Sequence, residues 1–264
     1  MQIYTLWDKG LAQAPELIQR LNALWIALHD EGSVKVLNGE EMDALIAQAG
    51  VDPSNLTVQV RSDLVRLILL ADGGGVWADA TLLPSAPLGT WLTTKLGPVG
   101  FYAHSTPKSD RILDSWFLSA HPDNPLVAAW RDTLIDYFRT PRLSYKLAPK
   151  WDRLKREIRR ALSPASFASD KVARNATYFP YHIVSYTLDN LCRTKPEIGE
   201  IWRRVPKDSG EPAMRLKAEC NRTGGDLDDA TLHKLIFAHP VHKLNWRTTE
   251  KYEKAVTVAE RALL

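Results

Sequence analysis

The chain has 264 residues, 45% hydrophobic and 25% charged, which is the make-up of an ordinary globular protein able to bury a core without disulfide or metal staples. With 34 Lys and Arg against 31 Asp and Glu, the formal net charge is +3. That balance excludes an acidic disordered chain and does not by itself demand a nucleic-acid partner. Nine Trp stand against three Met; indole rings serve as core filler and equally as platforms for sugars and bases.

In chain order, Ile3–Trp7 reads as a first strand. Ala14–His29 carries Leu17, Ile18, Leu21, Leu24, Trp25 and Leu28 at helical spacing. Ser33–Leu37 is a second strand, and Gly39–Ala49 is a helix with Met42, Leu45 and Ile46 on one face. Alternating strands and helices at this spacing predict an α/β half with a largely parallel sheet. Ser62 is placed to cap a helix over Asp63–Ala71, which ends at Asp72-Gly73-Gly74-Gly75. Its Leu64, Val65, Leu67, Ile68, Leu69 and Leu70 leave almost no polar face, so it is expected to be buried nearly all round. Val76–Ala78 is the next strand, with Asp79-Ala80-Thr81 at its exit. Phe101–Ala103 and Trp116–Leu118 follow as strands, and Pro125–Phe138 as a helix started by Asn124. Trp151–Leu162 is a basic helix, 163–225 reads as turns and short elements, Leu227–Leu235 as a helix or turn, and Glu250–Leu264 as a terminal helix. There is no internal repeat and no low-complexity linker, which fits one domain with two lobes.

Cys192 and Cys220 match no metal or redox spacing, and a disulfide between them is left open. Met1–Asp8 has neither a basic n-region nor a long apolar stretch, and the run Leu67–Ala71 falls far short of the ~20 residues that span a bilayer. The expected location is cytoplasmic, so the sequons at Asn55, Asn175 and Asn221 are expected to be chance.

Three features carry candidate chemistry. Asp63 and Arg66 lie three apart, on one face of an otherwise apolar helix. Buried charges are costly unless paired or bound, so the two form a mutual ion pair or a polar notch for a hydroxylated ligand. The glycine triplet allows close backbone approach and a sharp turn, but it is not GxGxxG. Asp79 sits at a strand exit, where open α/β sheets place ligands, although a lone Asp there also caps turns.

Taken together, SDLVRLILLADGGGVWADATLL resembles the Ser-Asp-x-x-Arg … Gly-Gly-x-Trp/Tyr-x-Asp-x-Asp/Thr signature of DXD-containing sugar transferases. Among these it is most similar to the capsular polysaccharide synthesis proteins of glycosyltransferase family 32. Weaker echoes, IYTLWDKG, SWFLSAHPDNPLV, YFPYH and HKLNW, follow in the family's order. The resemblance implies a GT-A fold: α/β, with a mixed central sheet flanked by helices and a helical C-terminal acceptor lobe. It implies a single domain over 1–264, with a nucleotide-sugar-binding half at 1–105 and an acceptor-side half at 106–264. It further implies a metal-dependent glycosyltransferase using Mn2+ or Mg2+. Such an enzyme moves a sugar from a nucleotide sugar, a UDP-sugar first of all, to a hydroxyl acceptor with retention of configuration.

Carried over residue by residue, the resemblance puts Trp7 near the nucleobase, with Asp63 and Arg66 on the donor sugar and the ribose-diphosphate region. Gly74, Gly75, Trp77, Thr81, Lys243 and Trp246 also line the donor, Lys243 as a charge partner for the diphosphate. Asp79 is the first Asp of DXD and, with Arg66, the expected catalytic pair. Thr81 departs from the motif and removes one carboxylate from a hard-metal site; His242 is the candidate second metal ligand beside Asp79. His182 and Trp116 are expected on the acceptor side. The Thr81 departure also admits a non-catalytic nucleotide-sugar or glycan-binding module.

The basic segment 142–160 holds Arg142, Lys146, Lys150, Arg153, Lys155, Arg156, Arg159 and Arg160 against Asp152 and Glu157. It is either a solvated helix face or an electropositive rim for an anionic acceptor. The acceptor would be a phosphate-containing glycan, a lipid-linked acceptor reached from a peripheral position at an anionic membrane, or a nucleic acid such as DNA with hydroxylated bases. A DNA-binding protein proper has no helix-turn-helix, zinc or aromatic-basic motif to support it.

Overall fold

The computed structural model describes residues 1–106, 110–173 and 177–264; Asn175 and its sequon lie outside the described residues. The first half runs β1 (Ile3–Leu6), α1 (Glu16–Ala27), β2 (Val34–Leu37), α2 (Gly39–Gln48), α3 (Val58–Asp72) and β3 (Gly75–Ala78). It continues through β4 (Leu82–Pro84), α4 (Leu92–Leu96), β5 (Phe101–Ala103), β6 (Phe117–Ala120) and α5 (Pro125–Arg139). There follow β7 (Leu143–Ser144), α6 (Lys150–Leu162), α7 (Asp170–Ala173), β8 (Tyr178–Phe179), α8 (Ile183–Thr194) and α9 (Pro196–Arg204). The chain closes with α10 (Glu211–Thr223), α11 (Asp229–Ile236), β9 (Val241–Lys243) and α12 (Glu253–Leu263).

The central sheet has five strands in the order β2-β1-β3-β6-β5. β1 pairs parallel with both β2 and β3, whereas β6 runs antiparallel to β3 and to β5. The sheet is therefore mixed, as the resemblance implies, and less parallel than the strand-helix alternation alone suggests. Side chains alternate across it with period two. Trp77, Phe101, Leu118 and Ala120 face a core shared with α2, α3, α5 and α8. Ile3, Val76, Tyr102 and Phe117 face the opposite core, with Trp25 of α1. α3 is buried on nearly every side, as its sequence requires.

A second antiparallel pair, β4 with β9, sets Leu82 opposite Lys243 and Leu83 opposite His242. This ribbon carries the C-terminal segment back to the exit of β3. Both cysteines are free, so the open disulfide does not form.

The structure corrects three element boundaries. α3 starts at Val58, capped by Thr57, whose hydroxyl accepts from the Val60 amide, and Ser62 lies one turn inside. The β-branched Val58 and Val60 lower local helix propensity and hide the true start. The described residues of 163–225 are largely helical rather than a mixture of turns and short elements; Pro196 and Pro212 each stand in the first turn of a helix. Residues Trp246–Lys251 form a 3-10 segment kinked at Thr248, so α12 begins only at Glu253.

Gly74 and Gly75 open β3, at the end of the strand away from Asp79. Both have positive φ, of 64° and 102°. A Cβ on Gly74 would lie 2.5 Å from the Pro122 nitrogen, and one on Gly75 would lie 2.4 Å from the Gln2 carbonyl oxygen. These glycines let strands meet, and they stand at the opposite end of β3 from Asp79, apart from the cluster beside which the motif implies them. Gly75→Ala is expected to cost about 2 kcal/mol or more of stability, read as a lower urea midpoint at unchanged slope.

Candidate active site

β1 and β3 run parallel, with Tyr4 opposite Trp77, so the residues that follow them, Trp7 and Asp79, leave the sheet at one edge. In such sheets this carboxyl edge is where ligands bind. Asp79 is placed by its backbone as well as by its side chain: its amide donates to the Trp116 carbonyl at 2.9 Å, and its carbonyl accepts from Leu82 at 2.9 Å.

The Asp79 carboxylate is engaged on both oxygens. Oδ1 accepts from the Trp77 indole at 2.9 Å, and Oδ2 accepts from Lys243 Nζ at 2.6 Å. Lys243 Nζ also donates to the Thr81 hydroxyl at 2.7 Å. Arg66, reaching in from α3, bridges two carboxylates, 3.5 Å from Asp79 Oδ1 and 3.1 Å from Asp63 Oδ1. Its guanidinium donates to the Ser115 carbonyl at 2.5 Å, the Ser62 hydroxyl at 2.9 Å and the Ser62 carbonyl at 3.2 Å, and it lies 5.0 Å over the Trp77 ring. The ion-pair reading of the Asp63–Arg66 spacing therefore holds, and Arg66 links the pair to Asp79.

The two carboxyls are tuned in opposite directions. Burial raises Asp63 to about 7; Arg66 offsets part of the rise and the charge on Asp79 adds to it. Burial also pushes Asp79 upward, but Lys243 and Arg66, with the hydrogen bonds from Lys243 and Trp77, outweigh it and hold the group below the usual range. Asp79 keeps 27% of its side chain exposed and Asp63 only 9%. At neutral pH the accessible carboxylate is charged while the buried one is poised between forms.

Trp7 meets Trp246 edge-to-face at 5.9 Å, and the Arg247 guanidinium lies 5.0 Å over Trp246. This pair sits at the same edge, with the Trp246 ring exposed. Tyr181, which the sequence reading passed over, belongs here too. Burial of its hydroxyl, then the charges on Asp63 and Asp79, raise it above its ordinary range, while Arg66 and Arg247 pull it back. Its signal in the sequence is the YFPYH segment, where it directly precedes His182. His182 instead lies against Arg111, 3.4 Å away, beside Asp110 and Asp114.

Two further expectations are corrected. The His242 ring points away from Asp79, because neighbouring residues of β9 face opposite sides and Lys243 takes the near one. It is 1% exposed, its Nε2 donates to the Ile236 carbonyl at 2.6 Å, and burial pushes its pKa down to about 4. It is no ligand beside Asp79. The Trp116 ring is buried and stacks on His104 at 4.6 Å; only its backbone serves the site.

The residues present do not offer a divalent cation the place that the motif implies. Between Asp79 and Thr81, where a metal held by an acid-x-acid pair would sit, stands the Lys243 ammonium. One carboxylate and one hydroxyl match its single charge better than a divalent ion's. Among the described residues, no group of three or more His, Cys, Asp or Glu side chains could hold a metal.

An α/β protein with a charged, aromatic-lined cluster at the carboxyl edge of its sheet is thereby defined. Residues 1–146 match the family described as capsular polysaccharide synthesis protein, and the chain belongs to that family. The match includes Trp7, Asp63, Arg66, Trp77, Asp79 and Thr81; Lys243 lies beyond it. No curated protein matches the chain. A solved structure titled PaToxG Glycosyltransferase is similar at 10% identity, over 98% of this chain and 84% of that one, with a TM-score of 0.34.

Because the folded pKa of Asp63 is raised above its ordinary value, the native state binds this proton more tightly than the unfolded chain does. The group's contribution is thus fully present at low pH and declines as pH rises from about 4, its unfolded value, to about 7. Asp63→Asn is expected to flatten that part of the thermal-midpoint profile. An unchanged slope between the two pH values would mean that Asp63 ionises normally.

Proposed function

We propose that the protein is a glycosyltransferase that moves a sugar from a nucleotide-sugar donor, a UDP-sugar first of all, to a hydroxyl group of a glycan acceptor. Membership of the capsular polysaccharide synthesis family supports the class. The observation that carries the reading is the Asp79 cluster, with Arg66, Lys243 and Trp77 converging on one partly exposed carboxylate at the carboxyl edge of the sheet.

In this reading the Trp7–Trp246 pair receives the base by stacking, and Asp63 and Asp79 accept hydrogen bonds from donor hydroxyls. A nucleoside diphosphate leaves as an anion, and fixed cations aimed at its developing charge lower the barrier. Arg66, Lys243 and Arg247 are cations at this edge, and Lys243 supplies the positive charge between Asp79 and Thr81. Departure and attack on one face of the sugar require no protein nucleophile and retain configuration.

The test is release of nucleoside diphosphate from a donor panel, with and without chelator. Asp79→Asn is expected to lower the rate by about 10³-fold and Lys243→Met by about 10²-fold, each with a native circular dichroism spectrum. Wild-type activity is expected to survive chelation. Full activity in Asp79→Asn would remove the site assignment, and a strict Mn2+ or Mg2+ requirement would remove Lys243 from its role. Donor binding without turnover would make the protein a binding module.

A further inference from the structure

The basic helix α6 is mounted inside out. A surface helix normally turns its apolar stripe to the core and its charges to water. Here the charged side faces the protein. Arg156 lies 4.9 Å over the Tyr145 ring and pairs with Glu157. Arg160 reaches Asp110 at 3.6 Å and Glu157 at 2.7 Å. Arg153 donates to the carbonyls of Lys146 and Ala148, at 2.7 and 2.9 Å. The helix has no buried residue.

Its apolar side faces outward. Trp151, Leu154, Ile158 and Leu162 recur at spacings of three and four, so they share one face, and they are 75, 50, 54 and 82% exposed. Leu143 and Leu147, just before the helix in the chain, are exposed as well. Six of the twelve exposed large apolar side chains among the described residues thus lie within a single short segment. A contiguous patch of this kind marks an interaction surface.

Charge complementarity selects the occupant. Segment 142–160 has eight cations and two acids, a net +6, whereas the whole chain carries +3; the remainder therefore carries −3. On a helical wheel Lys150 and Lys155 border the apolar arc on either side, where their stems can lie along it and their ammonium groups reach outward. A second copy docked on the same face about a two-fold axis would set the Lys150 and Lys155 that border one apolar arc against those of the other. An apolar stripe with an indole, bordered by cations, is instead the pattern of a helix lying in the headgroup plane of an anionic bilayer. At ~1.5 Å per residue the 13 residues of α6 form a rod of about 20 Å, too short to cross a bilayer and long enough to lie in its surface.

The geometry points to α6 as a membrane-surface anchor: Trp151, Leu154, Ile158 and Leu162 enter the interface of an anionic phospholipid membrane, and Lys150 and Lys155 bind its headgroups. The anchor stands independently of the sugar-transfer reading, and its test uses neither donor nor acceptor.

The experiment is flotation of the full chain with vesicles of phosphatidylcholine containing phosphatidylglycerol, against phosphatidylcholine alone. The wild type is expected to float with the anionic vesicles only and to be released as salt rises. The double variant Trp151→Ser/Ile158→Ser and the double variant Lys150→Glu/Lys155→Glu are each expected to lose about tenfold or more of the bound fraction, with an unchanged thermal midpoint because the replaced side chains are exposed. Trp151→Phe is expected to retain binding. Wild-type protein that stays with the buffer, floats equally with neutral vesicles, or floats undiminished after either double substitution would overturn the anchor. A dimer in sedimentation that the Trp151→Ser/Ile158→Ser variant dissolves, with no vesicle binding by the wild type, would assign the face to a second copy instead.

Discussion

The Arg66 guanidinium is the charge around which the site is assembled. It stands on a helix buried on nearly every side, and a cation in that position is tolerated only because every side of it is answered: two carboxylates, a hydroxyl, two backbone carbonyls and an indole face. Removing any of these leaves part of a buried charge uncompensated. Arg66 thus couples the core helix to the strand exit, and the positions of Asp63, Trp77 and Asp79 follow from it.

The β4–β9 ribbon completes what Arg66 begins. Asp79 needs a second cation to stay ionised against its own desolvation, and Lys243 supplies it from far along the chain. Strand register decides which residue does so. A slip of one position would turn Lys243 into the core and bring His242 to Asp79. The pairing of Leu82 with Lys243 is therefore as much a part of the site as the side chains themselves.

Much of this was legible in the sequence. The α/β plan follows from the element alternation, its mixed sheet from the family resemblance, and the Asp63–Arg66 pair from the cost of charge on an apolar helix. Lys243 is expected from the resemblance as a charge partner for a diphosphate; the contacts it makes with Asp79 and Thr81 carry no signal in the sequence. What misled has a physical reason in each case. His242 looked like a ligand because residue type shows chemistry but not the face of a strand. Gly74 and Gly75 looked like ligand-facing glycines, yet their close neighbours are backbone atoms from residues distant in the sequence. Tyr181 is not distinguished from His182 by sequence, since which of two adjacent aromatic rings lies within the field of the carboxylates depends on the start of α8. The inverted mounting of α6 has no trace in its periodicity, because an amphipathic pattern shows that two faces differ and not which one meets the protein.

The bond between Lys243 and Asp79 spans 164 residues. Asp63, Arg66 and Asp79 can be brought together by the first part of the chain alone, but their charge remains incomplete until β9 has emerged and paired with β4. During synthesis the nascent protein therefore carries a carboxylate short of one cation for most of the time the ribosome spends on it. Contacts this distant in sequence form late, so ordering of the site is coupled to completion of the C-terminal ribbon, and a chain interrupted before residue 243 would hold the scaffold of the centre without its closing charge.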